Sequence, residues 1–224
     1  MNKTALRNFA IYARNRLIQE ITNKASRLGI SEEGIKDPLS QNGDMYTFDI
    51  GAIEPYKIYG DDIEKYNRLV RELETRAKFS DYKTAYDGLI EEVAYTWFNR
   101  IIAIRFMEVN NYLPDRMRVL SSGREGVREP EFVTYYYDTS LNLTDKELKD
   151  LESWRADGSS TSMDKIFQLL FIKQCNALND NLPELFEETN DYAELLLTIS
   201  YNDPDGVVFR LVHDINEEYF DIES

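Results

Sequence analysis

One cysteine, one histidine and no long apolar run are the shortages that first narrow this chain's possibilities. With Cys175 alone there is no internal disulfide framework, which fits a reducing compartment. His213 has no second histidine to share a zinc ion with and no convergent nucleophile to serve as base. No stretch approaches the roughly 20 apolar residues that span a bilayer, so no membrane partner is expected. Lys3, Arg7 and Arg14 interrupt any apolar core near the start, so a signal peptide is not expected either. The expectation is a soluble, cytoplasmic protein.

Positive charge is also scarce. Forty-one acids against 26 Lys and Arg give a net charge of −15, where a phosphate binder normally shows a basic footprint. The distribution qualifies this. Residues 1–28 hold six bases and one acid, and residues 97–128 hold six arginines against three acids. Residues 129–224 hold 22 acids and six bases. Either the faces are simply solvated, or a basic surface approaches DNA or docks on an acidic neighbour while the acidic part points away. The basic residues offered for DNA are Arg7, Arg14, Lys24, Arg27, Arg116, Arg118, Arg124 and Arg128.

What the chain has is apolar material in helical spacing. At 42% apolar and 12% aromatic, 224 residues can bury a substantial core, and a single domain over 1–224 is expected. The pattern predicts a mainly α fold, an irregular multi-helix bundle around a long buried central helix. Leu6, Phe9, Ala13, Leu17 and Ile21 mark an amphipathic helix over 3–28 that stops at Gly29. Residues 31–60 are broken by Gly and Pro, and the alternation of Tyr46, Phe48 and Ile50 leaves room for a small β-hairpin in 40–60.

A helix follows from Asp61 to about Phe79, and Ser80 or Asp81 then caps the central helix, which runs toward Tyr112 before Pro114. Pro130 opens either a short helix or a strand through Tyr135, Tyr136 and Tyr137. Thr144 with Glu147 forms a capping box for a helix through Trp154. Gly158–Ser162 is a flexible connector to a helix over 163–182, and Asp203–Gly206 is a turn before a last helical stretch.

The candidate chemistry is thin. Asp49, Glu54 and Lys57 suggest a metal-dependent nuclease, but Glu54-Pro55-Tyr56-Lys57 has one residue too many and Pro55 disrupts the aligning strand. No metal is expected. Tyr135–Tyr137 near Arg124 and Arg128 interleave aromatic and basic groups, as in single-strand binders, or form an amphipathic element with its hydroxyls in water. Trp97 and Phe98 read as core. Arg100 and Arg105 lie in an apolar helix, where internal carboxylates such as Glu108 would satisfy them. Alternatively, Asn99 and Arg100 emerge at the surface to dock a phosphate or a neighbouring domain.

Three stretches carry a resemblance. The first has Ala10, Ala13-Arg14 and Leu28-Gly29-Ile30. The second is Ala94-Tyr95-Thr96-Trp97-Phe98-Asn99-Arg100, continuing through Ala103-Ile104-Arg105-Phe106-Met107-Glu108, Tyr112-Leu113, Met117, Val119 and Leu120. The third has Cys175-Asn176-Ala177-Leu178, Pro183, Leu185-Phe186-Glu187, Glu194–Leu197, Leu211-Val212 and Asp214-Ile215. In this order they resemble the N-terminal part of the PglX family, the adenine-specific DNA methyltransferases of BREX phage-defence systems, and related restriction-system methylases.

The resemblance implies a much longer parent that methylates adenine in duplex DNA with S-adenosylmethionine. This chain would be its leading, non-catalytic domain, partnered by its own catalytic domain and by other defence-complex subunits. Such an enzyme needs a glycine-rich turn after a strand for the cofactor, and an Asn/Asp-Pro-Pro-aromatic loop for the target amine. The nearest strings, Gly123–Gly126 and Asn202–Asp205, do not match, so no cofactor is expected in this chain. The competing expectation is a protein-interaction module that recruits defence-complex subunits through the acidic half without touching DNA. A stand-alone enzyme lacks any convergent catalytic cluster.

Overall fold

A computed structural model describes residues 3–179, 182–183, 186 and 191–222. Leu185 and Glu187 of the third stretch lie outside the described residues. The described chain is mainly α with a small antiparallel β part.

Helix α1 (Lys3–Arg27) ends where Gly29 takes a left-handed φ of 74°. A Cβ at Gly29 would stand 2.8 Å from the Lys36 carbonyl oxygen, so glycine is required there twice over. A two-residue ribbon follows, β1 (Ile30–Ser31) with β2 (Gly34–Ile35). The 40–60 region holds a three-stranded antiparallel sheet rather than a single hairpin: β3 (Ser40–Asn42), β4 (Met45–Phe48) and β5 (Tyr56–Tyr59). Ile50 does not continue the strand. Asp49 Oδ1 accepts from Gly51 N at 2.9 Å, and this turn ends β4 at Phe48.

Helix α2 (Asp61–Ala77) buries Ile63, Tyr66, Leu69 and Leu73 on one face. Asp81 caps α3 (Tyr82–Val109), accepting from Thr84 N at 3.0 Å. The helix stops before Tyr112. Asn111 adopts a left-handed φ of 55° and Tyr112 N donates to Met107 O, a Schellman-type closure that acts ahead of Pro114.

The tyrosine run takes the helical alternative, with α4 (Glu131–Thr134) and a 3-10 turn over Tyr136–Asp138. The Thr144–Glu147 capping box is present at the start of α5 (Asp145–Asp157). The expected serine connector is shorter than its composition suggested. Ser159 Oγ accepts from Ser162 N at 3.2 Å and thereby caps α6 (Ser160–Asn179), which absorbs the remaining serines. Helices α7 (Asp191–Leu196) and α8 (Val207–His213) complete the described set, α8 after the turn closed by Gly206 N donating to Asp203 O at 2.8 Å.

The chain divides into two compact units. The first unit draws on the described residues of 1–13, 98–188 and 198–224. There α6 packs against α4 and α5 around Phe132, Val133, Ile166, Phe167, Leu170 and Phe171, with Tyr201 edge-on to Phe167. The second unit draws on 14–97 and the described residues of 189–197. There α2 packs against α7 and β5, Phe48 and Tyr46 meet Tyr66 edge-on, and Trp97 Nε1 donates to Ala193 O at 3.0 Å. Burial pushes the Tyr66 hydroxyl up to about 12, with the Asp37 charge adding to it.

Candidate nucleic-acid interface

The eight basic residues offered for DNA fall in both units. Arg7, Arg116, Arg118, Arg124 and Arg128 belong to the first, and Arg14, Lys24 and Arg27 to the second. Their surroundings differ more than their chemistry. Arg7, Arg116 and Arg128 are exposed and take part in no ion pair among the described residues. Arg116 also stands in the left-handed region at φ 52°, a strained place for a side chain of its size. Arg124 is exposed and lies over the Tyr135 ring, 5.5 Å from its centroid.

Arg118 has an internal job. Its guanidinium ion-pairs with Glu217 through Nη1, and its Nη2 donates to Glu217 Oε2 at 3.1 Å. The Arg118 hydrogen bond holds the Glu217 carboxyl below its ordinary range, with the Arg105 charge adding to it. Lys24 is half-buried, donates to Tyr56 Oη at 2.6 Å and sits over that ring. Arg14 pairs with Glu91 at 2.7 Å with both side chains largely in water. Arg27 is exposed and is in no ion pair among the described residues.

The docking pair separates. Asn99 is half-buried, but Arg100 is only 1% exposed, so its guanidinium does not reach a surface. A helix enclosed on all sides over this stretch leaves an arginine no route to water. Arg100 lies near Cys175, where its charge favours the thiolate, yet burial dominates and pushes that thiol up to about 12. Arg105 takes the internal course fully. It donates to Glu108 Oε1 at 2.6 Å, to Ser121 Oγ at 3.1 Å and to Glu217 Oε1 at 3.0 Å. Glu108 in turn accepts from Leu120 N and the Ser121 hydroxyl.

Of the Asp49, Glu54 and Lys57 set, Asp49 caps the Gly51 turn and Lys57 sits in β5 opposite Thr47. Among the described residues no group of three or more His, Cys, Asp or Glu could hold a metal ion. His213 is exposed and lies tilted against the Phe209 ring, 4.2 Å between centroids. In the tyrosine run, Tyr136 is buried, Tyr137 donates to Glu152 at 2.9 Å, and only Tyr135 faces a cation.

The S-adenosylmethionine geometry is tested by two strings. Gly123–Gly126 lies in an irregular loop that follows no described strand, and Asn202–Asp205 forms the turn that opens α8. Neither offers the strand-to-helix glycine turn or the aromatic-ended proline loop, so these residues do not fit the cofactor. No described helix is long and apolar enough to cross a membrane.

A site the sequence did not reveal lies at the end of α1. Ser26, Arg27, Gly29, Ser31, Lys36, Asp49, Ile50 and Gly51 line a cavity of about 580 Å³ in the second unit. Lys36 sits among turn-formers, and the only sequence signal was a base placed after the Gly29 break.

No family model matches the chain. Two curated proteins are similar along it. The "Adenine-specific methyltransferase PglX" of Lacticaseibacillus casei (strain Zhang) is 42% identical over 229 residues, covering 100% of this chain. The "Adenine-specific methyltransferase BrxX" of Escherichia coli O9:H4 (strain HS) is 30% identical over 224 residues, covering 97%. The chain spans 18% and 17% of the length of these relatives. It is similar from end to end to one segment of the PglX-type adenine-specific methyltransferases.

Proposed function

We propose that this chain is the non-catalytic N-terminal domain of a site-specific adenine-N6 DNA methyltransferase of a BREX-type phage-defence system. It supports the catalytic domain and presents arginines to duplex DNA. The observation that carries this reading is similarity along the whole chain to proteins more than five times as long. Methyl transfer from S-adenosylmethionine then belongs to the rest of the parent, in the cytoplasm. The partners are that catalytic domain, duplex DNA and other defence-complex subunits. Arg7, Arg116 and Arg128, exposed and in no ion pair among the described residues, support a DNA-facing role, because a cation not engaged by a carboxylate can release counterions from phosphates.

The test is fluorescence anisotropy of a labelled duplex titrated with residues 1–224 across a salt series. Binding should fall steeply with salt, with a log–log slope near −0.9 per phosphate contacted. Arg128→Ala should shallow that slope by about 1. Arg116→Gly should weaken binding while leaving the fold as stable as before or more so, because glycine accepts the left-handed backbone. Absence of binding even at low salt would overturn the DNA role. A protein-interaction module acting through the acidic residues 129–224 would then be the better reading.

A further inference from the structure

The cleft at the end of α1 carries two cations on its wall. Arg27 and Lys36 are both exposed and neither is in an ion pair among the described residues. Arg14, Lys65, Arg76 and Lys83 of the same unit each sit on a carboxylate. In a chain of net charge −15, unpaired cations on a cavity wall are not explained by a shortage of acids. The backbone brings the two together. Gly29 turns at the helix end and its carbonyl accepts from Lys36 N at 2.8 Å, so a residue nine positions beyond Arg27 returns to the same cavity. Ser26 adds a hydroxyl donor to the wall, and Ser31 adds a second whose present bond, to Gly34 O, is long at 3.5 Å.

Two features oppose an anion and define which one fits. The C-terminal end of α1 carries roughly half a negative charge. Ala25 O and Ser26 O already accept from Leu28 N and Gly29 N, and two full cations outweigh what remains. Asp49 also lines the cavity, with Oδ1 committed to Gly51 N. Its carboxylate repels a ligand carrying two charges. A phosphate monoester carries roughly −1.5 to −2 at pH 7, whereas a diester carries one negative charge per phosphate.

We propose that the Arg27–Lys36 cleft binds a single phosphodiester of the DNA backbone. The guanidinium and ammonium supply the charge, the serine hydroxyls supply further donors, and Asp49 selects against more highly charged phosphates. This rests on the DNA-facing reading above and adds to it a site in the second unit.

The test compares residues 1–224 with its Arg27→Gln/Lys36→Gln variant, both checked by thermal unfolding. Neither side chain is in an ion pair among the described residues, so the variant should fold normally. Two measurements are made: duplex anisotropy across salt, and amide shifts of Gly29 and Gly51 on titration with a dinucleoside monophosphate or with inorganic phosphate. The expected result is roughly tenfold weaker duplex binding at low salt, a slope shallower by about 1, and stronger shifts with the diester than with inorganic phosphate. If the wild type binds duplex and the variant binds it equally with the same slope, the cleft is overturned while the DNA reading stands. If the wild type binds no duplex, that reading fails and the shifts alone decide. Diester-selective shifts support the cleft. Shifts that favour inorganic phosphate, or none, overturn it.

Discussion

The first half of α3 has a wet side, and the second half has none. From Tyr82 to Trp97 the exposed positions Lys83, Asp87, Glu91 and Tyr95 recur at fours, and Ala85, Tyr86, Leu89, Ile90, Val93 and Ala94 face inward. From Thr96 to Asn110 no residue is exposed. Each half holds a glutamate paired with an arginine at similar distance. Arg14–Glu91 lies at 2.7 Å with side chains 58% and 62% exposed, and Arg105–Glu108 at 2.6 Å with 1% and 0%. Distance therefore says little about what either pair does. In water the attraction at about 4 Å is near 1 kcal/mol and side-chain entropy offsets much of it. In the interior the same charges cannot be left singly, because desolvation of the survivor dominates.

The largest effect expected from that contrast is at the buried pair. Glu108→Ala should destabilise the chain by about 3–5 kcal/mol in urea unfolding. It removes the buried one of the two carboxylates that Arg105 pairs with, leaving only the part-exposed Glu217, and it strands the Leu120 N–H and Ser121 hydroxyl that Glu108 accepts from. Glu108→Gln should cost less, since an amide oxygen still accepts from Leu120 N. A loss below about 1 kcal/mol for the alanine variant would mean that water reaches this site, and the contrast between the halves would collapse.

Glu217 sharpens the comparison because it bridges the buried Arg105 and the half-exposed Arg118. Its carboxyl is held below the ordinary 4.5, first by the Arg118 hydrogen bond and then, against a desolvation penalty, by the two arginine charges. A group whose folded pKa is depressed contributes stability that is present above its unfolded pKa and lost as pH falls through the folded value. The wild type should therefore be more stable than Glu217→Gln at neutral pH. The gap should close below about pH 4.5. Because Glu217 is 42% exposed, this effect is smaller than that at Glu108. Unfolding curves of both proteins between pH 3 and 7 check it, and a constant gap over that range would remove Glu217 from the network.

Local chemistry was legible and long-range placement was not. The Gly29 stop, the Asp81 cap and the Thr144–Glu147 box are rules of a few residues, and each sits where the spacing indicated. Asn111 gives no clear signal in sequence, because a left-handed asparagine is only one of several ways to end a helix and Pro114 reads as the stronger stop. Ser159 reads as linker in sequence because serine serves a cap and a loop equally well. At the candidate site, composition marks basic residues but cannot tell Arg118, held by Glu217 from 99 positions away, from Arg128, which is in no ion pair among the described residues. Nor could it show Arg100 enclosed, or bring Lys36 back beside Arg27.

The smallest effect lies at the exposed pair. Arg14 and Glu91 are far apart in sequence yet meet at 2.7 Å, and a contact that close invites the inference that it holds the second unit together. The physics says otherwise. Both side chains keep most of their water, and each loses rotamer freedom to hold the geometry. A double-mutant cycle of Arg14→Ala and Glu91→Ala should return a coupling of about 0–1 kcal/mol, shrinking further when ionic strength is raised toward 1 M, where the screening length is near 3 Å. The same Arg14→Ala protein should be compared with wild type on duplex DNA. An arginine held this loosely can exchange its carboxylate for a phosphate, so a loss of DNA affinity without loss of stability would assign it to the interface. A coupling of 2 kcal/mol or more, insensitive to salt, would instead make Arg14 a structural residue and remove it from the DNA-facing set.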